Sequence, residues 1–284
     1  MKKTIALLFV AASTTVYAQP KILTQAFINT KTTIVAPEGD EAPLQTSTSA
    51  DGGEVRVMRF GGDGETKTST WLKNDLVKTF SESEMGRTTA IRDNSKKITT
   101  TIMEMMGKKN GFYATDEDQA EMRKRMDSMM KSRGQNVPLN VASTTPPVYA
   151  VVYIDENKKI AGYVCKKALI IAKRADRSDT TQVWYCPDFK LQNVPSTGGI
   201  AAGFGGFNAT NGPTGMELLN GFPMQYERNM NRGRRMTVEI TKLVIDKEIA
   251  DKEFEIPKDI EIKPMKDVQN GRGGGPMIQM RVGG

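Results

Sequence analysis

The feature that most constrains this chain is an alternation of apolar and polar residues with a period of two, repeated along much of its length. Glu54 to Phe60 sets Val55 and Val57 against Arg56 and Met58, and Met236, Val238 and Ile240 oppose Thr237, Glu239 and Thr241. Successive side chains of a strand point to opposite faces, so these segments read as half-buried strands. Further strands are predicted at Lys67 to Lys73, Leu76 to Ser81, Arg87 to Arg92 and Lys97 to Met103, separated by Gly, Asn or Asp at the spacing of an antiparallel meander. Val148 to Ile154 and Ile160 to Ala172 follow, with Asp155-Glu156-Asn157 as the turn between them, and Val183 to Cys186 pairs back onto the second. The class this predicts is mainly β (α+β).

One helix interrupts the pattern, at about Asp116 to Ser132. Thr115 is its cap, with Asp118 at the third position completing a capping box; acids fill the first turn, and Lys131, Arg133 and Gly134 mark the end. Its apolar face is Met122, Met126, Met129 and Met130, while Glu121 to Arg125 and Asp127 to Lys131 make i,i+4 pairs.

Residues 1–18 have the pattern of a secretory signal: Lys2 and Lys3, an apolar run from Ile5 to Ala12, and Val16-Tyr17-Ala18 as the cleavage site. The apolar run is too short to span a bilayer, and no later stretch reads as a transmembrane segment. The expected product starts near Gln19 and is periplasmic or secreted. Without Lys2 and Lys3 the formal charge drops from +7 to +5, an excess too mild to imply nucleic acid as a partner. Ala36 to Gly53 has linker chemistry, so residues 19–51 are predicted to form an N-terminal segment and linker, 52–264 a single domain, and 265–284 a flexible Gly-rich tail.

The chain contains no histidine, which removes Ser-His-Asp and Cys-His nucleophile pairs, histidine general bases and every histidine-containing metal site. Two cysteines are too few for an all-thiolate zinc site. Asp116, Glu117 and Asp118 are explained by the helix dipole. No catalytic residue, metal or cofactor is expected.

Four features admit more than one reading. The methionine-rich helix face, with Met103, Met105 and Met106 just upstream, suits core packing, an adaptable lid over an apolar ligand, or capture of a soft metal such as Cu(I). Cys165 and Cys186 fall opposite each other if a hairpin is centred between Ala175 and Asp176; in an exported protein that predicts a disulfide, with two buried thiols one register out of line as the alternative. Phe204-Gly205-Gly206-Phe207 lacks the strand and helix of a phosphate loop and reads as a hairpin loop. The arginines from Arg228 to Arg235 suit an anionic headgroup or glycan phosphate, or plain solvation.

Several strings carry a resemblance: Lys159-Ile160-Ala161-Gly162-Tyr163-Val164-Cys165-Lys166-Lys167-Ala168, Val183-Trp184-Tyr185 with Pro187-Asp188, Gly221-Phe222-Pro223-Met224-Gln225-Tyr226-Glu227, and Glu253-Phe254-Glu255-Ile256-Pro257. The chain resembles the secreted proteins of Bacteroidetes related to the GLPGLI family, which are similar in turn to the lipoprotein-carrier (LolA-like) fold. The resemblance implies a curved, open antiparallel half-barrel sheet with the Met-rich helix and loops over its concave face, and a hydrophobic cavity between. Candidate lining residues are Trp71, Trp184, Phe222, Tyr226 and the helix methionines Met122, Met126, Met129 and Met130. The expected function is a non-enzymatic exported protein that binds a lipid-like ligand. The alternative is a structural or interaction protein of the cell envelope. The sequence leaves the oligomeric state open.

Overall fold

The computed structural model describes residues 19–37, 45–48, 54–57, 64–83, 86–105, 107–132, 147–174, 178–192, 215–230 and 233–270. The strands are Lys21–Leu23 (β1), Gln25–Val35 (β2), Gln45–Thr48 (β3), Glu54–Val57 (β4), Gly64–Lys73 (β5), Leu76–Ser83 (β6), Gly86–Asp93 (β7), Ile98–Met105 (β8) and Lys108–Thr115 (β9). After the helix Asp116–Ser132 (α1) come Val148–Ile160 (β10), Tyr163–Lys173 (β11), Ser178–Cys186 (β12), Phe189–Leu191 (β13), Phe222–Asn229 (β14), Arg235–Val244 (β15) and Ile262–Pro264 (β16), then the short helix Met265–Asn270 (α2).

Twelve strands form one curved sheet in the order β10-β11-β12-β14-β15-β2-β5-β6-β7-β8-β9-β16. Its two ends do not pair, so the molecule is mainly β and an open half-barrel. Strands β5 to β9 form one meander, and β10, β11, β12, β14 and β15 supply the other half, while β13 pairs β1 in a separate two-stranded sheet. The N-terminal strand β2 joins the halves, pairing β15 on one side and β5 on the other. The domain therefore begins well before residue 52, and β2, from the segment expected to precede it, lies at the middle of the sheet. The predicted linker also contains β3, which pairs β4 in a separate two-stranded sheet. At the other end of the chain, residues 265–270 belong to α2 rather than to a tail, and Lys266 of that helix binds Asp118 of α1 at 2.7 Å. The Phe204 loop, the last fourteen residues and residues 1–18 lie outside the described residues.

The β10–β11 turn differs from the sequence reading. The strand runs through Asp155-Glu156-Asn157, which the sheet absorbs as a register shift between Ile154 and Asn157, and turns at Ala161-Gly162 instead. Both residues have positive φ, 49° and 89°, the pattern of a two-residue primed turn, whose handedness matches the twist of the strands it joins. Glycine takes the second of these conformations without a Cβ penalty.

Much of the core lies where β2, β5, β14 and β15 meet the ends of β11 and β12: Ala26, Ile28, Leu72, Cys165, Cys186, Phe189, Phe222, Met224 and Ile240 pack together. Each large apolar side chain buried here contributes about 1.5–3 kcal/mol. The chain passes so close to itself at Gly221 that a Cβ there would lie 2.1 Å from the Cys186 carbonyl oxygen. A second cluster of Ala168, Ile170, Val183 and Tyr185 is covered by Leu219, next to the 3-10 turn Met216–Leu218.

Candidate ligand-binding face

Residues directly paired across antiparallel strands share a face, so the register traces each side of the sheet. On the inner side Thr32 pairs with Val238 and Thr66, and Thr30 with Ile240 and Thr68. Ile28 pairs with Thr70, Thr68 continues to Ser81, and Thr70 to Thr79. The same face carries Tyr226 and Val183 beyond Val238, and Arg92 and Thr99 toward the opposite edge. There α1 begins. The Arg92 guanidinium donates to both carboxylate oxygens of Asp116 at 2.6 and 3.0 Å, and the Gln119 amide donates to the Thr99 hydroxyl. The capping box is formed in both directions: the Asp118 amide donates to Thr115 Oγ1 at 3.1 Å, and the Thr115 amide donates to the Asp118 carboxylate at 3.0 Å.

The centre of this inner face is a belt of hydroxyls. Thr30, Thr32, Thr66, Thr68 and Thr70 are each at most 4% exposed, and Ser81 is 6% exposed. Thr68 and Ser81 share a hydrogen bond of 3.2 Å. The hydroxyls of Thr30, Thr66 and Thr70 have no hydrogen-bond partner among the described residues. A buried hydroxyl left in that state costs about 1–3 kcal/mol, and the three lie on the adjacent strands β2 and β5. Each threonine also presents a methyl group, so the belt offers hydrogen-bonding and apolar surface together. Composition counted these threonines as polar; the period-two spacing Thr66-x-Thr68-x-Thr70 was the sequence signal for them.

Among the described residues, the aromatics predicted from the sequence to line a cavity do not converge. Trp71 lies on the outer face beside Phe27, ring centroids 5.1 Å apart, with the Lys78 ammonium 4.9 Å from its ring. Trp184 is also on the outer face, pairs with Lys167, and lies between the Lys158 and Lys167 ammoniums, each 5.7 Å away. Phe222 is in the core, 5.6 Å from Phe189. Of these four predicted aromatics Tyr226 is the one the register places on the inner face, packed near Val183 and Tyr185, where burial pushes its phenol up to about 12 and keeps it neutral. On α1, Met122 is half-buried, and the side chains of Met126, Met129 and Met130 lie outside the described residues.

The cysteines meet the hairpin arithmetic. Lys166 pairs with Tyr185 and Lys167 with Trp184, so the next step of the register brings Cys165 opposite Cys186. Both are fully buried and present as thiols, so the expected disulfide is not formed in this structure. Burial, with Cys186 adding to it at Cys165, pushes the two thiols up to about 12 and about 11, far from the thiolate needed for nucleophilic chemistry.

Among the described residues, no three Cys, Asp or Glu side chains converge in a way that would hold a metal ion. A recess of about 300 Å³ at the β5–β6 and β7–β8 turns is lined by Lys73, Asn74, Asp75, Leu76, Asp93, Ser95 and Asp251. Its charged groups are already partnered: Lys73 binds Asp251 at 2.7 Å, and Asp93 accepts a hydrogen bond from the Ser95 hydroxyl at 2.6 Å. It is polar and open, unsuited to an apolar molecule. The arginine run caps the β14–β15 hairpin, where Arg228 and Arg235 are exposed. No helix among the described residues is long and apolar enough to cross a membrane.

No protein-family model and no curated protein matches the chain. Among solved structures it is similar to PNGF-II, at 14% identity and a TM-score of 0.33, covering 87% of this chain and 33% of that one. It is also similar to MucB, at 10% identity and a TM-score of 0.37, covering 84% of this chain and 60% of that one. The chain spans less than two thirds of either protein's length.

Proposed function

We propose that this is an exported, non-enzymatic binding protein of the periplasm or extracellular space, related to the GLPGLI-like secreted proteins, that holds a lipid-like amphiphile against the inner face of its half-barrel. The observation that carries this reading is the belt of buried hydroxyls, three of them unpartnered, on the face where α1 begins. A pure hydrocarbon would leave those hydroxyls unpaired at the full desolvation cost. A molecule with an ester, amide or hydroxyl beside its acyl chain satisfies them, while threonine methyls and Ile28, Val238 and Ile240 receive the chain.

The experiment is a titration with two fluorescent acyl probes of equal chain length, one with an amide linkage and one without. The amide probe is expected to bind in the micromolar range, about −8 kcal/mol. Thr66→Val, Thr68→Val and Thr70→Val together are expected to weaken the amide probe at least ~10-fold, about 1.4 kcal/mol, and to leave the other probe nearly unchanged. Absence of binding by both probes would overturn the reading.

The second reading, an envelope interaction protein, is favoured by a different observation, the open sheet edge at β10.

A further inference from the structure

The two edges of the sheet are unlike. One ends in β16, three residues long, parallel to β9 and terminated by Pro264. A short strand with a proline is a common device against unwanted pairing. The other edge is β10, thirteen residues long and with no such device in its first half. Val148 to Ile154 contains no charge and no proline. Val148 is 69% exposed, Val152 46% and Tyr153 49%. Among the described residues this strand pairs only with β11.

The segment reads Val148-Tyr149-Ala150-Val151-Val152-Tyr153-Ile154, a near-palindrome about Val151. Laid antiparallel against a second copy with a two-fold axis at Val151, it sets Val148 against Ile154, Tyr149 against Tyr153, Ala150 against Val152, and Val151 against itself. Every cross-strand pair is then apolar or aromatic, the kind that stabilises a sheet. A two-fold interface requires such self-complementarity, because each patch meets its own copy. The match also has natural ends. Pro147 has no N–H to extend it on one side, and the register shift after Ile154 bends the strand on the other. The competing register, centred on Asn157, opposes Asp155 to Lys159 and Glu156 to Lys158 but runs through that irregularity, and Glu156 is already bound to Lys167 at 2.9 Å.

We propose that β10 pairs with β10 of a second copy of this chain, antiparallel about Val151, making a two-fold dimer with one continuous sheet. This does not depend on what the inner face binds. The test is the mass in solution of the chain lacking residues 1–18, at about 100 μM, where a micromolar self-affinity is saturated. Twice the monomer mass is expected. Val152→Lys, at an exposed outer-face position, is expected to weaken the dimer roughly tenfold or more with an unchanged β-sheet signal, and Ala150→Glu to do likewise. Mixing the two variants is expected to restore a dimer, because the register opposes Glu at 150 in one copy to Lys at 152 in the other. A monomer at that concentration, a dimer indifferent to Val152→Lys, or no recovery on mixing would each overturn the proposal.

Discussion

Replacing Thr66 or Thr70 by valine is expected to make this protein more stable, whereas the same change at Thr68, between them on the same strand, is expected to do the opposite. All three side chains point to the inner face and are at most 4% exposed. Thr66 and Thr70 have hydroxyls without a partner, so valine of the same shape removes a desolvation cost and loses no bond. Each change is expected to add about 1 kcal/mol. The two sites are four residues apart, about 13 Å along a strand, so the effects should add to about 2 kcal/mol. At Thr68 the hydrogen bond to Ser81 is lost and the buried Ser81 hydroxyl becomes an orphan, a loss of about 1–3 kcal/mol. Urea denaturation followed by circular dichroism measures each difference, and the melting temperature should move by about 2–4 °C per kcal/mol. If Thr66→Val and Thr70→Val destabilise as much as Thr68→Val, the hydroxyls have partners and the reasoning fails.

Thr115→Ala removes one half of the reciprocal cap of α1 and should cost about 1 kcal/mol, visible as faster amide exchange over residues 116 to 119; exchange unchanged from wild type would contradict it. The Ser95 hydroxyl beside Asp93, and the Lys266 ammonium with the Thr115 amide beside Asp118, hold both carboxyls down to about 2. That is below the ordinary unfolded value of about 3.9, so their stabilising contribution is present above about pH 4 and lost as pH falls toward 2. The urea midpoint should decline across that window, and Asp118→Asn should flatten part of the decline. In an oxidising compartment the opposed Cys165 and Cys186 are expected to close a loop of about 20 residues, adding roughly 3 kcal/mol. Thiol titration of unfolded, unreduced protein checks this, and two free thiols would refute it.

What was legible in the sequence was what local chemistry decides. The cap of α1 needs only Thr115 and Asp118 three residues apart, and the meander from β5 to β8 alternates between turns, two of which set Asn74 and Gly86 at positive φ. The register of β11 on β12 followed from counting to the hairpin centre. Strand β2 was missed because its inner residues are Ala26, Ile28, Thr30, Thr32 and Ile34, so two of the five on its buried side are threonine and the apolar alternation fades. Asp155-Glu156-Asn157 has turn composition, but on an edge strand the same polar run stays solvated as an irregularity, and Gly162 made the tighter turn. The aromatic group failed for a longer-range reason. Which face Trp71 or Trp184 takes depends on pairings with β2, β6, β11 and β14, and a shift of one residue exchanges the faces.

The central claim is that the inner face carries an amphiphile in the cell. Native mass spectrometry of the protein purified from the cells that make it, without detergent, tests this most directly. A population heavier than the bare chain is expected, releasing on denaturation a lipid-like molecule with an ester, amide or hydroxyl, and the Thr66, Thr68 and Thr70 triple valine variant should lose it. A clean mass of the bare chain, from protein that still binds neither acyl probe afterwards, would contradict the claim.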